Sequence, residues 1–328
     1  MTDSGGSGTL TEREPGVDVV IATRNTRAQT LECLQSLHDD PAALEALRLI
    51  VVDNASEDGT AEAVRRYYPD VDLVRCDSNV GFGRACNIGA KRGGGEYVLF
   101  LNSDIVARGG AVRHLADALW VDGGRVAAGG HLVDLGTDRT QVGFVLRALP
   151  TLPAQLALLI GLERFWPTNP ISRRQLMLDF DYGRTQDVTA QPAGACLLCR
   201  RDVFDAIGGF DESFYFWFED VDLVKRLSER GRIVYVHDAV FEHVGSGTFA
   251  QWARSEIIVT RYRSLLRYFD KHHSRLAQRG LAAVVMVLGG VRGAASWPID
   301  RDRARAYAAV VSLAARHIVR ASGGARHA

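Results

Sequence analysis

Cysteine is scarce in this chain. Five residues in 328 carry a thiol, at positions 33, 76, 86, 196 and 199. An odd and sparse set does not read as a disulfide framework and points to a reducing compartment. Cys196 and Cys199 have the CxxC spacing, but they fall in a stretch read as a strand, where residues three apart point to opposite faces. A shared metal or disulfide is therefore not expected there. Charge of neither sign is in excess, with 39 basic and 39 acidic residues. No polyanion footprint appears, and nucleic acid is not an expected partner. Long apolar runs are missing too. The longest, Leu281 to Val291, would cover about half of a ~30 Å bilayer core as a helix, so no membrane-spanning helix is expected from it. Residues 1–15 lack the basic start and apolar centre of a signal peptide and read as a disordered tail. A cytoplasmic protein is the expectation. The first apolar strand is not followed by GxGxxG, which removes the dinucleotide fingerprint.

What remains is an ordinary globular composition, 47% hydrophobic and 24% charged, arranged in alternating strands and helices. Val17 to Ala22 reads as a buried strand opening into Thr23-Arg24-Asn25-Thr26, with a helix from about Arg27 to Leu37. Leu49 to Val52 is a second strand, ending in Asp53-Asn54-Ala55-Ser56, with a helix to about Tyr68. Val71 to Arg75 is a third. A glycine-bearing loop, Asn79 to Asn87, then enters a helix and includes Gly81, Phe82 and Arg84. Tyr97 to Leu101 is a fourth strand, ending in Asn102-Ser103-Asp104. This alternation predicts an α/β fold with a mostly parallel central sheet flanked by helices. In such sheets ligands bind at the carboxyl ends of the strands. Each polar cluster taken alone also reads as a capped turn. Together they place Thr23, Asn25, Asp53, Asn54, Ser56 and Asp104 on one rim. Short polar side chains beside helix starts suit a nucleotide, and an Asp at a strand end, two residues after another oxygen ligand, suits Mg²⁺ or Mn²⁺.

A second stretch carries different chemistry. Phe214-Tyr215-Phe216-Trp217-Phe218 precedes Glu219-Asp220-Val221-Asp222, and the spacing of Val221, Val224 and Leu227 predicts a helix that stops at Gly231. Acids in a first turn favour the positive helix end. A carboxylate against an aromatic wall is also partly desolvated, which raises its pKa and suits general-base work.

The segments 17–25, 51–60, 79–90, 97–104 and 208–231 together resemble family 2 glycosyltransferases with the GT-A fold, closest in look to bacterial cell-envelope rhamnosyltransferases. The resemblance covers about residues 17–270. It implies that Thr23, Asn25, Asp53, Asn54, Ser56, Asn79, Gly81, Phe82, Arg84, Asn87, Asn102 and Ser103 hold a dTDP- or UDP-sugar. It implies that Asp104 and His243 bind Mg²⁺ or Mn²⁺, that Asp220 is the catalytic base, and that Glu219, Trp217 and Gly194 face the acceptor. His243 is preferred over His237 on the strength of that resemblance. The metal motif is often Asp-x-Asp, and here Asn102 takes its first place, with one charge fewer. The implied acceptor is a glycan, a polyprenyl-linked sugar or a small molecule. A nucleotidyltransferase of similar fold and an inactive sugar-nucleotide-binding scaffold are the competing classes.

The expected organisation is a catalytic domain over 16–250, with a nucleotide-binding half at 16–107 and an acceptor half at 108–250. A helical region follows over 251–328. In the middle, Leu152–Leu162 is a helix candidate, and Gly194 is read as allowing close approach of a sugar ring. The C-terminal region mixes arginines with apolar stretches, which suits shallow contact with an anionic inner membrane face or an oligomer contact.

Overall fold

A computed structural model describes residues 16–42, 46–245 and 252–323. The expected tail, and Ser246-Gly247 after the strand bearing His243, lie outside the described residues. The first half alternates as expected: β1 Val17–Thr23, α1 Arg27–His38, β2 Leu47–Asp53, α2 Thr60–Tyr67, β3 Asp72–Arg75, α3 Phe82–Ala90, β4 Tyr97–Asn102 and the short β5 Ile105–Ala107. α4 Ala111–Trp120 leads into β6 Arg125–Asp134. A less regular middle holds β7 Leu146–Ala148, α5 Leu152–Ile160, α6 Leu162–Phe165, α7 Pro170–Gln175, β8 Gln186–Val188 and β9 Ala190–Pro192. The chain continues through β10 Cys196–Arg200, α8 Arg201–Ala206, α9 Glu219–Leu227 and β11 Arg232–His243. It ends in α10 Arg254–His272, α11 Arg275–Ser296 and α12 Arg301–Gly323.

The main sheet has the order β3-β2-β1-β4-β10-β6-β11-β5, with β8 also pairing with β11. Its first four strands are parallel, as are β6 and β11. β10 runs antiparallel to both β4 and β6, and β5 and β8 run antiparallel to β11. The sheet is therefore mixed. Its parallel part is the half in which strand and helix alternate, because a helical crossover returns the chain in the same direction.

β1 shows why these strands read as unbroken apolar runs. Val17, Val19 and Ile21 enter one core, and Val20 enters the other, so both faces are covered. β10 does the same: Cys196 and Leu198 face the first core, Leu197 and Cys199 the second. The two cysteines are thus separated by the sheet, as their spacing predicts.

A third core joins the C-terminal helices to the rest. It holds Phe214, Val221, Tyr262, Leu266, Phe269, Leu281, Val285 and Val310. Asp222, fully buried, reinforces the junction. It accepts from Arg226 on its own helix, 2.8 Å, and from Lys271 and His272 of α10, at 2.8 and 2.7 Å. This third carboxylate of the acidic stretch is a structural tie between α9 and α10. α5 stops at Ile160, short of the expected Leu162, because Gly161 takes a left-handed conformation at φ 69°. α11 departs further from expectation. The apolar run is embedded in a helix of 22 residues, long and apolar enough to cross a membrane by length and composition. Its inner face, Leu281, Ala282, Val285 and Gly289, is buried, whereas Leu276, Val287 and Val291 stay exposed.

Candidate active site

The metal motif is placed by strand register. β4 ends at Asn102, the chain turns through Ser103-Asp104, and β5 pairs with β11 so that Ile105 lies opposite His243. Asp104 is thereby set beside His243, with Oδ1 3.6 Å from Nε2. Its other oxygen, Oδ2, accepts from the Gly245 N–H at 3.2 Å. His237 does not compete. It lies in a bulge, where three residues of β11 are looped out between Val236 and Val240, and its Nδ1 meets the Tyr182 carbonyl.

A residue that sequence reasoning missed fixes the histidine. Gln141 donates from Nε2 to Asp134 Oδ1 at 3.0 Å and to the His243 carbonyl at 2.9 Å. Both are acceptors, so the amide orientation is settled by its surroundings and Oε1 faces His243 Nδ1 at 2.8 Å. Nδ1 must therefore carry the proton and donate it. In the neutral ring Nε2 is then a bare lone pair, directed at the Asp104 carboxylate. Burial favours that neutral form by pulling the His243 pKa below its ordinary value, against the opposing influence of Asp104. Phe144 stacks on the ring at 4.8 Å and 11°. Two acceptors facing each other are relieved by a cation between them. The donor set, one carboxylate oxygen and one neutral imidazole, fits a divalent cation that draws its other ligands from phosphate and water. Among the described residues no group of three or more His, Cys, Asp or Glu converges, so protein ligands alone would leave the sphere incomplete.

Asp220 is placed by the loop between β9 and β10. Its Oδ2 accepts from Gln191 Nε2 at 2.9 Å and from the Gly194 N–H at 3.2 Å, and its Oδ1 accepts from the Val221 N–H at 2.8 Å. One residue on, the Ala195 carbonyl accepts from the Asn102 N–H at 2.9 Å. A single loop thus touches both the acidic helix start and the strand bearing the metal motif. Gly194 allows a close approach of Asp220: a Cβ there would stand 2.6 Å from that of Asp220. Burial raises the Asp220 pKa, and the Val221 and Gly194 N–H groups and Arg147 offset only part of the rise. Glu219 points inward, 5% exposed, with Oε2 lacking a hydrogen bond. Burial first, and then Asp220, push its pKa well above the ordinary range. Trp217 lies half-buried in the aromatic run, edge-on to Phe216 and Trp252.

The expected nucleotide-binding residues divide into two groups. Several spend their polar atoms on one another. Thr23 Oγ1 bonds to Thr26 and Thr30, and Ser103 Oγ bonds to Thr26. Asn54 holds the loop ahead of α3 through Asn79 Oδ1, the Gly81 carbonyl and the Val80 N–H. Ser56 Oγ accepts from the Asn25 N–H, and Asn25 Oδ1 accepts from the Glu57 N–H. These residues build the rim. Asn87 leaves the set, because its amide is used on the Phe210 backbone and Glu212. Gly81, at φ 88°, is required by packing: a Cβ would meet the Tyr215 carbonyl at 2.5 Å. Phe82 packs edge-on to Phe210, and Arg84 pairs with Glu212 at 3.5 Å. Asp53 differs from all of these. It is fully buried, its Oδ1 accepts from the Ser56 N–H at 3.0 Å, and its Oδ2 has no hydrogen bond, with Arg75 Nε 3.7 Å away.

A mixed sheet with an acidic strand end, a polar rim and a carboxylate at a following helix start has the architecture of the GT-A fold. The chain belongs to glycosyl transferase family 2, whose model matches residues 18–208. It is 32% identical over 242 residues to the N-acetylglucosaminyl-diphospho-decaprenol L-rhamnosyltransferase of Mycobacterium tuberculosis, covering 68% of this chain and 75% of that one. It is 24% identical over 263 residues to rhamnosyltransferase WbbL of Escherichia coli, covering 76% and 93%. Among solved structures, mannosyltransferase PcManGT from Pyrobaculum calidifontis, in complex with GDP-Man and Mn²⁺, has a TM-score of 0.51 at 17% identity, covering 93% of this chain and 87% of that one. That likeness bears on the fold alone.

Two outcomes are expected from this geometry. The raised Glu219 pKa means that folding takes up a proton there, so its cost is absent below the ordinary Glu pKa of about 4.3 and grows as pH rises toward the folded value. Glu219→Gln should stabilise the fold at pH 7.5 by about 1–3 kcal/mol and change little at pH 4; equal effects in thermal melts at the two pH values would contradict this. For Gln141→Met, ¹⁵N NMR of labelled histidines should show His243 losing its fixed Nδ1–H tautomer. Mn²⁺ affinity, measured by calorimetry with a nucleoside diphosphate present, should fall roughly 10–100-fold. An Nε2–H tautomer in the unsubstituted protein would overturn the assignment.

Proposed function

We propose that the chain transfers rhamnose from dTDP-rhamnose, with inversion, to an acceptor hydroxyl of a cell-envelope glycan or glycolipid. The observation that carries the reading is the loop 193–195, which holds the Asp220 carboxylate on one side and the Asn102 backbone on the other. A base is thereby tied to the rim where a donor diphosphate would lie. Support for the sugar comes from the two relatives named as rhamnosyltransferases, with UDP-sugars next in line. The name of the first also supports a polyprenyl-diphosphate sugar as acceptor.

In this reading Asp53 Oδ2 accepts from the base or ribose of the nucleotide, which satisfies its open valence. Asn25 and Ser56 shape the pocket around it. The acceptor oxygen attacks C1 from the face opposite the diphosphate. Its bond to C1 forms as the C1–O bond to the diphosphate breaks, and Asp220 takes the proton. The electron pair leaves with the diphosphate. Asp104 and His243 would hold a divalent cation, Mn²⁺ or Mg²⁺, which when bound neutralises the leaving group's charge. Gln191 and Gly194 keep the base aimed, and holding both substrates on one rim supplies proximity. The sheet's polar rim then works from the cytoplasm, where nucleotide sugars are made available, and α11 lays its outer face on the inner membrane surface. Leu276, Trp297 and Ile299, exposed by 82, 59 and 87%, are the anchors on that side.

Incubation with a panel of sugar nucleotides should release nucleoside diphosphate from one donor, in the presence of Mn²⁺ or Mg²⁺. With acceptor present, Asp220→Asn should lower kcat by about 10²–10⁴. The base must be ionised, so kcat/KM falls as pH drops, and the raised pKa places that limb above the ordinary Asp value of about 3.9. Full transfer by Asp220→Asn would remove Asp220 from the base role. Anionic vesicles should co-sediment the protein, and Trp297→Ala with Ile299→Ser should release it. Equal binding by the double variant would rule out this face.

A further inference from the structure

A cleft of about 930 Å³ lies between the polar rim and the C-terminal helices. Its size falls in the usual range for small-molecule sites, and clefts between packed units are where such sites occur. The rim contributes Arg24, from the connection after β1, and Asn79, which is bonded to Asn54 at the end of β2. α10 turns one face to the cleft, with Thr260 and Arg263 on it, and the first turns of α12 add Arg305. Three guanidinium groups from three separate elements thus line one space. Glu256 and Asp302 line it too, and Asp302 is already paired with Arg305 at 3.1 Å. Among the described residues Arg263 has no carboxylate within ion-pair distance.

We propose that this cleft is a diphosphate-binding site in which Arg263 and Arg305 act with Arg24, so that the C-terminal helices complete the substrate-binding surface. Guanidinium forks suit a diphosphate because each can offer two parallel N–H donors to phosphate oxygens. Asn79 and Thr260 add neutral hydrogen-bonding groups to the lining. The N-terminal end of α12, with its partial positive charge, adds to the same field. The inference rests on reading the rim as a nucleotide-sugar site. The diphosphate has two sources in that reading: the donor itself, or an isoprenyl diphosphate that carries the acceptor sugar. A helical region that looks like an appendage would then have a direct part in binding, and the catalytic half alone would lack it.

Calorimetry on the full chain decides this, with dTDP, UDP and geranyl diphosphate as probes. Arg263→Gln with Arg305→Gln should weaken at least one probe roughly tenfold or more, and lower the salt dependence of binding. Loss confined to the nucleotides assigns the site to the donor. Loss confined to geranyl diphosphate assigns it to the acceptor, and loss of both assigns it to diphosphates in general. Asp302→Asn should act in the opposite sense and tighten the same probe, a sign change that general damage to the fold would not produce. If the double variant binds every probe as the unsubstituted protein does, the cleft is not the site, and the nucleotide rim reading stands. If the unsubstituted protein binds none of the probes, both readings fall.

Discussion

The antiparallel pairing of β5 with β11 is the constraint on which the site depends. Three residue pairs make it, and one of them sets Ile105 against His243. Without that register the strand end carrying Asp104 would have no imidazole beside it. The same strand, β11, is parallel to β6, with His243 opposite Asp134. The turn after β6 then brings Gln141 back alongside, bonding its N–H to the Leu132 carbonyl. One strand therefore receives a carboxylate from one neighbour and a tautomer-fixing amide from the other. The bulge at 237–239 is part of this arrangement. It absorbs three residues so that the final stretch of β11 regains register with β6 and faces β5.

The second constraint is the reversed strand β10. Because it runs antiparallel between β4 and β6, its entry loop lies at the carboxyl end of β4. That is where the metal motif begins. Gly194 in the loop has room for Asp220 only because it has no side chain. Asp220 and the strand end that leads to Asp104 are thus coupled through backbone.

Much of this was legible in the sequence, and the reasons are physical. Strands buried on both faces announce themselves as apolar runs, and short polar clusters after them announce strand ends. Asp53 and Asp104 stand out because they fall at such strand ends, and Asp220 because it falls at a helix start behind an aromatic run. What could not be read was anything that depends on non-local register. Gln141 and Gln191 sit in segments with no periodicity, and a glutamine carries no signal of its partner 102 or 29 residues away. The same holds for the split among the rim residues. Thr23, Asn54 and Asn87 look like ligand contacts in sequence, yet their hydrogen bonds are spent inside the protein. Gly194 was legible as a close approach, but not what approaches it. The length of α11 was hidden because Gly, Ala and Arg around its apolar centre are compatible with several structures, and tertiary packing extends the helix through them.

The acidic helix start shows how adjacent residues acquire different work. Glu219 and Asp220 share a backbone neighbourhood and a helix N-terminus, which favours one negative charge there. Two charges side by side would repel, so one carboxyl must yield its proton less readily than the other. Solvation decides which. Glu219 is sealed in, with one oxygen unbonded, so its protonated form is favoured. Asp220 stands partly open and receives three hydrogen-bond donors, two of them backbone N–H groups, which stabilise its ionised form. The neutral tendency of Glu219 spares Asp220 a negative neighbour. A carboxylate whose pKa is raised by burial is a stronger base than an ordinary one. The buried, underbonded Glu219 carboxyl is a cost to stability.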